Sequence, residues 1–503
     1  MGIALGAAGC KALVISLEGQ PLAEAYREYG PATGASQDGE PDAERVWAAA
    51  RECIAEVAAR SKGDPIRALS ISSPAEAVAF LSPEGRIIGH GGLQSAQRSF
   101  ICPQAVEQAL GAERLFEITG NLPASGGTLA RLCWLREYKP ALLETAGRFL
   151  FWNGLVAYLL GGASTCDYSL ASRTLLFDMR QREWSADILR ASGLPALKLP
   201  ELAPAGTALG TVSTPVARAL GLPAGARLIL GGYDLACGAL GLGVISGGQA
   251  MCLLGSYLSM VPAFNAIPLT SLLFGQGLDM AHHVVPEVFV SVLYTQSGGA
   301  VLRWFAETLV PGEKREAQRR GASIYTELLA EMPPEPTRLV ALPFFAPPGP
   351  PRLGECFTGG ILGLQVTSSR GECIKALLEG MLYFLAEGQE RLAKAGIGVQ
   401  RYRAGGGGAR SDAWLQLLAD IMDRPVERTA VNDPAPLGAA LIAGVGSEAY
   451  ANFEEAVAAT VKVVRRFEPR PRWVALYRDQ LERYRRLLPL LQEIAGRCFP
   501  AAR

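Results

Sequence analysis

The sequence predicts an α/β protein of two or more domains, and three observations carry that reading. The chain has 503 residues, enough for more than one hydrophobic core. Apolar runs of strand length end in glycine turns that open helices. Two such junctions stand out. Leu228–Leu230 ends in Gly231-Gly232 before Asp234 and a small-residue helix expected over Leu235–Leu242. Arg401–Ala404 leads into Gly406-Gly407-Gly408 before a helix carrying Trp414.

Composition narrows the class. Lys plus Arg equals Asp plus Glu at 48 each, so no global field draws the chain to nucleic acid or to an anionic membrane. The ten cysteines form no CxxC and no paired Cys/His spacing; they read as reduced, buried small hydrophobes, without zinc. His90, His282 and His283 are the only histidines. The apolar start MGIALGAAGCKALVISL lacks a basic leader, and Lys11 interrupts it too early for a membrane span. A cytoplasmic protein is the expectation.

In chain order, Gly2–Leu5 and Ala12–Leu17 read as strands joined by a small-residue turn, Gly6–Cys10. Asp42–Arg60 is an amphipathic helix with Val46, Trp47, Ala50, Ile54 and Val57 on one face. Arg67–Ser72 and Val78–Leu81 are buried strands by their apolar runs. Leu132, Trp134 and Leu135 mark a core helix, and Ala141–Leu160 the next helix with its lead-in. Trp184-Ser185 opens another. Ala250–Leu254 is a strand ending in Gly255-Ser256. Phe274–Val290 reads as a pair of strands; adjacent His282 and His283 would face opposite ways there, so no shared metal is expected. Leu339–Phe345 is a strand, Glu372–Ala395 a long helix, Asn432–Gly444 a close-packing small-residue helix, and Trp473–Ile494 a closing helix.

The chemistry concentrates at the two junctions. Asp234 at a strand end could serve as a general base, and Gly255-Ser256 could offer an anion-binding turn. An N-cap and an ordinary hairpin turn account for the same residues equally well on pattern alone. The glycine triplet lets the backbone lie against a flat ring, since no Cβ intervenes.

Resemblance adds to this. GGYDLACGALGLGVISGGQAMCLLGS, Gly231–Ser256, resembles the start of the second domain of the FGGY carbohydrate kinases, the family of xylulokinase, gluconokinase and glycerol kinase. Thr119-Gly120-Asn121, Thr128–Leu135, Thr165–Ser172 (TCDYSLAS), Gln296–Phe305 and Gly359–Leu364 resemble further family segments. Gly2–Ala12 is similar to the family's first phosphate hairpin. Gly6 and Lys11 match it, whereas Ala4 stands at the acidic position and Ala7, Ala8 and Gly9 at hydroxyl positions.

The resemblance implies an α/β fold of two actin-like (ribonuclease H-like) domains with a cleft between them. Residues 1–230 would carry sugar binding and the first phosphate hairpin, and residues 231–503 the catalytic base and ATP binding. Asp234 would be the catalytic base. Gly6, Lys11, Gly255, Ser256, Gly406, Gly407, Gly408 and Ser411 would bind ATP. Glu76, Gln97, Arg98, Tyr233 and Asp234 would meet the substrate, while Asp167 would cap or brace a helix near the cleft. The implied cofactors are ATP and Mg2+, with no protein metal ligand assigned. The implied activity is xylulokinase-like transfer of the γ-phosphate of ATP to a hydroxyl of a sugar, ketose or polyol. The alternative, because of Ala4, is a pseudokinase that binds nucleotide or sugar. Nucleic acid and membrane are not expected as partners, and a homodimer stays open.

Overall fold

The computed structural model describes residues 1–29, 42–75, 77–91, 101–123, 127–194, 199–346, 349, 352 and 359–498. Two sheets share one plan. In the first, the strand order is Ala208–Thr211, Arg227–Ile229, Ala68–Ser72, Gly2–Leu5, Gly9–Ile15, Pro21–Glu28. Gly2–Leu5 runs parallel to Ala68–Ser72 and antiparallel to Gly9–Ile15. In the second, Leu258–Phe264, Gln249–Leu254, Arg401–Gly405, Val426–Thr429 and Val463–Phe467 are neighbours in that order. Gln249–Leu254 again makes an antiparallel hairpin on one side and a parallel pair, with Arg401–Gly405, on the other. An antiparallel strand closes the parallel edge of both sheets.

The strand pattern explains which face each residue takes. On Gly2–Leu5, Ile3 and Leu5 are fully buried and join Val46, Ala50, Ile54 and Val57 of the helix Ala43–Arg60 in one core. Asp42 caps that helix through Arg45 N–H at 2.8 Å. Gly2 and Ala4 take the other face, where the helix Pro434–Gly446 packs on the sheet. The approach is backbone to backbone. A Cβ on Gly2 would sit 1.9 Å from the Pro436 carbonyl, and one on Gly438 only 1.8 Å from the carbonyl of Cys237 in the helix Asp234–Gly241. Pro434–Gly446 thus lies in sequence between two strands of the second sheet, Val426–Thr429 and Val463–Phe467, while covering the first.

Several expected elements differ from the observed ones. The second strand starts at Gly9, not Ala12, because Gly6 N–H bonds the Gly9 carbonyl at 2.9 Å and closes a tight turn with Ala7 and Ala8 exposed at its tip. Phe274 lies in a helix, Thr270–Gly275, rather than a strand; only Ala281–His282 and Phe289–Val290 pair in that region. Arg148–Phe151 is a strand set between the helices Pro140–Thr145 and Trp152–Leu159. Six of the described cysteines are free thiols, whereas Cys133 is disulfide-bonded, contrary to an all-reduced set. No helix among the described residues is long and apolar enough to cross a membrane.

Candidate active site

Asp234 is the first residue of the helix Asp234–Gly241 and is half-buried. Its backbone is held from two sides. Asp234 N–H donates to the Ser73 carbonyl at 3.0 Å, and Tyr233 N–H donates to Ser169 Oγ at 2.9 Å. Ser73 follows the strand Ala68–Ser72, so the carboxylate stands at the mouth of the first sheet.

Ser169 is in turn fixed by Asp167. Its hydroxyl donates to Asp167 Oδ2, which also accepts from Ser169 N–H at 2.8 Å, while Asp167 Oδ1 accepts from Leu170 N–H at 3.2 Å. Asp167 therefore caps the short helix Tyr168–Ala171, the bracing role anticipated for it. The chain Asp167, Ser169, Tyr233 N–H places the residue before Asp234. Gly232 leaves it room, since a Cβ there would lie 2.8 Å from Ser169 Oγ and 3.0 Å from Asp167 Oδ2.

Burial pushes the Asp167 carboxyl up to about 6, against the hydrogen bonds from Ser169 and Leu170 that lower it. The folded chain thus holds this proton more tightly than the unfolded chain. The stabilisation is whole below the ordinary carboxyl value of 3.8 and is lost as pH rises through about 6. Between pH 4 and pH 7, Asp167→Asn should gain stability relative to the parent by roughly 3 kcal/mol, read from thermal unfolding at each pH. A difference that does not change with pH would remove Asp167 as the titrating group.

The glycine loops abut one another. Gly255 and Ser256 turn the chain between the strands Gln249–Leu254 and Leu258–Phe264, and their carbonyls accept Gly299 and Ala300 N–H at 2.9 and 3.1 Å. Ser256 Oγ accepts from Arg303 Nη2 at 3.1 Å, which brings an exposed cation to this turn. Gly406, at φ 85°, is placed so that its Cβ would lie 3.2 Å from Gly255 N, and its own N–H bonds the Asn432 carbonyl at 2.6 Å. Around Gly407, an added Cβ would meet nothing within 4 Å; at Gly408 it would strike the Trp414 ring at 2.8 Å. Gly408 is thus a packing glycine, and Gly407 has an open face. Ser411 Oγ accepts Trp414 N–H at 3.3 Å and caps the helix Asp412–Met422.

Lys11 pairs across the strands with Ala4, and its ammonium forms ion pairs with Glu24 at 3.4 Å and Asp433 at 3.2 Å. Asp433 directly precedes the helix Pro434–Gly446. The first hairpin, the start of that helix, the Gly406 loop and the Gly255 turn therefore form one continuous run of contacts. Glu76, Gln97 and Arg98 lie outside the described residues. His282 Nε2 bonds the Met179 carbonyl at 3.0 Å, and His283 Nδ1 accepts Val285 N–H at 2.9 Å, so the two rings have separate partners.

The residues fit a metal–nucleotide. Gly407 offers an open backbone face, and Lys11 and Arg303 bring cations to the two turns. Among the described residues no group of three or more His, Cys, Asp or Glu could hold a metal ion unaided. Mg2+ asks for no such group, since it keeps several waters and is bound through one or two carboxylates plus phosphate oxygens.

Ser169, Asn432, Asp433 and Arg303 join the site without having been singled out from sequence. Ser169 sits inside the TCDYSLAS segment, and Asp433 in an Asp-Pro helix start; both signals were visible, but their long-range partners were not.

Comparison with known proteins bears on the family and the fold. Residues 1–241 match the profile of the N-terminal domain, and residues 271–447 that of the C-terminal domain, of the FGGY family of carbohydrate kinases. The xylulose kinase of Bacillus subtilis (strain 168) is 26% identical over 490 residues, covering 97% of this chain and 96% of that protein. An autoinducer-2 kinase of Escherichia coli (strain K12) is 27% identical over 517 residues, covering 96% and 94%. The solved xylulose kinase from Rhodospirillum rubrum superposes with a TM-score of 0.86 at 24% identity, covering 99% of both chains. The paired sheets have the two-domain actin-like architecture of these structures, and the chain belongs to the FGGY family of carbohydrate kinases.

Proposed function

We propose that this chain is an ATP-dependent kinase that transfers the γ-phosphate to a hydroxyl of a sugar, ketose or polyol. Residues 1–230 bear the sugar site and residues 231–503 the base and nucleotide site. The observation that carries the reading is the fixed backbone at Asp234: its own N–H is held by the Ser73 carbonyl, and the N–H of the preceding Tyr233 is held by the Asp167–Ser169 relay. Phosphoryl transfer asks for positioning and for neutralisation of phosphate charge in a cleft that excludes water. Asp234 accepts the proton of the attacking hydroxyl. Gly6, Lys11, Gly255 and Ser256 hold phosphates, and Gly406 to Gly408 the adenosine, with Ser411 capping the next helix. Mg2+, when bound, shields the charge of the phosphates. The relatives' names set a xylulose-like substrate first, with Tyr233 beside the base.

One observation favours a second reading. Ala4 stands where the family places an acid, so a nucleotide- or sugar-binding relative without turnover is the competitor. A coupled ADP-release assay across pentuloses, hexuloses, polyols and sugar acids decides between them. Stoichiometric ADP with one phosphorylated product supports the kinase; ADP binding with no turnover on any acceptor supports the competitor.

Gly407→Val tests the nucleotide pocket. The added side chain projects into open space, so the fold should persist, yet it fills the face assigned to the ring. ADP affinity should fall by about tenfold or more, equal to ~1.4 kcal/mol, in calorimetry. Unchanged ADP affinity in the folded variant would sink the pocket assignment.

A further inference from the structure

We infer that Asp433 supplies the carboxylate that position 4 lacks, facing the metal of a bound nucleotide; this rests on the kinase reading above. The argument begins with the hairpin. Directly opposed residues of an antiparallel pair project to the same face, so Lys11 and Ala4 share one. On that face Ala4 offers only a methyl group. Lys11 reaches past it to Asp433 Oδ2 at 3.2 Å, which brings this carboxylate to the side of the hairpin where the acid is missing.

Asp433 is also poorly explained as a structural residue. It occupies the N-cap position of Pro434–Gly446, where an aspartate ordinarily accepts a backbone N–H of the first turn, yet its side chain makes no capping bond. Pro434 at the first helical position lowers the need for one, since it has no N–H. The Asp433 side chain is 54% exposed, and its described polar partner is Lys11. Its backbone is held firmly nonetheless: the preceding Asn432 carbonyl accepts Gly406 N–H, and the Pro434 ring packs 3.3 Å from a Gly405 Cβ position. The carboxylate is thus mounted on rigid backbone between the hairpin and the glycine loop.

Charge exchange follows. Lys11 has two carboxylate partners, Glu24 and Asp433. When a nucleotide brings phosphate oxygens and a divalent cation, the ammonium turns to the phosphates. Asp433 then exchanges Lys11 for the hydrated cation. A carboxylate acting through metal-bound water meets the demand of Mg2+, which dehydrates reluctantly. Asp433 is therefore a positioning residue for the metal–phosphate unit and forms no bond to the transferred group.

The test uses ADP, with and without Mg2+, in calorimetry on the full chain, with Mn2+ and water-proton relaxation as a second readout. The parent should bind ADP more tightly with Mg2+ than without. Asp433→Asn should lose about tenfold or more of that metal-dependent gain. Its metal-free ADP affinity should be unchanged or higher, since a negative charge near the phosphates is gone. Ala4→Asp added to Asp433→Asn should restore the gain and the Mn2+ relaxation signal. Asn is itself a good helix N-cap, so folding should survive, and Asp433→Glu serves as a charge-retaining check. An Asp433→Asn protein that binds ADP with the full metal-dependent gain overturns the inference and leaves the kinase reading intact. Equal weakening with and without metal also overturns it, since that is the mark of a lost interdomain clasp. A parent that binds no ADP in either condition removes both.

Discussion

Asp234→Asn is expected to lower turnover by about 10²–10⁴-fold, with ADP affinity and thermal stability near those of the parent. The backbone anchors of this residue do not involve its side chain. Asp234 N–H would still meet the Ser73 carbonyl, and Tyr233 N–H would still meet Ser169 Oγ. Asn has nearly the shape of Asp, so the helix start is preserved while the proton-accepting oxygen is lost. The loss should therefore appear in turnover at saturating substrate. An Asn variant that turns over the best acceptor at the parental rate would remove Asp234 from the chemistry.

The largest effect on stability is expected at Gly438. An added methyl group would sit 1.8 Å from the Cys237 carbonyl, well inside contact distance, and the obstacle is helix backbone that no rotamer change can move. Accommodating it means parting Pro434–Gly446 from Asp234–Gly241, and with it loosening Gly2 against Pro436. Overpacking of this kind costs about 3 kcal/mol, so Gly438→Ala should lower Tm by roughly 3–6 °C. Gly312→Ala is the control. It lies in the first turn of the helix Pro311–Arg319, a Cβ there meets nothing within 4 Å, and alanine favours helix. Equal melting of the two variants would mean that the helix pair yields without cost.

The fold was legible where periodicity runs long enough to register. The helix Arg370–Lys394 and the closing helix Pro471–Cys498 each span many turns, and both were expected within a few residues of their ends. Thr270–Gly275 was not, because six residues make under two turns and an apolar run of that length fits a strand equally well. The site divides in the same way. Asp167 as a cap was expected from the resemblance of the TCDYSLAS segment, and its bonds to Ser169 and Leu170 N–H are local to that segment. Ser169 reaching Tyr233 and Lys11 reaching Asp433 are contacts between distant parts of the chain, which no local pattern encodes. The glycines show the same limit: sequence marks Gly407 and Gly408 alike, yet one faces open space and the other a tryptophan ring.

The position of the Pro434–Gly446 helix also governs how the chain is made. The strands Gly2–Leu5 and Ala68–Ser72 are made well before the helix that covers one of their faces, which begins at Pro434. Until that helix is made, the nascent first sheet carries an uncovered face shaped for backbone contact, and Gly2 adds no side chain to screen it. An uncovered sheet face of this kind can associate through its apolar surface with other partly folded chains, so the nascent chain is expected to be most prone to aggregation before Pro434 emerges, to be read from the solubility of chains truncated before residue 434.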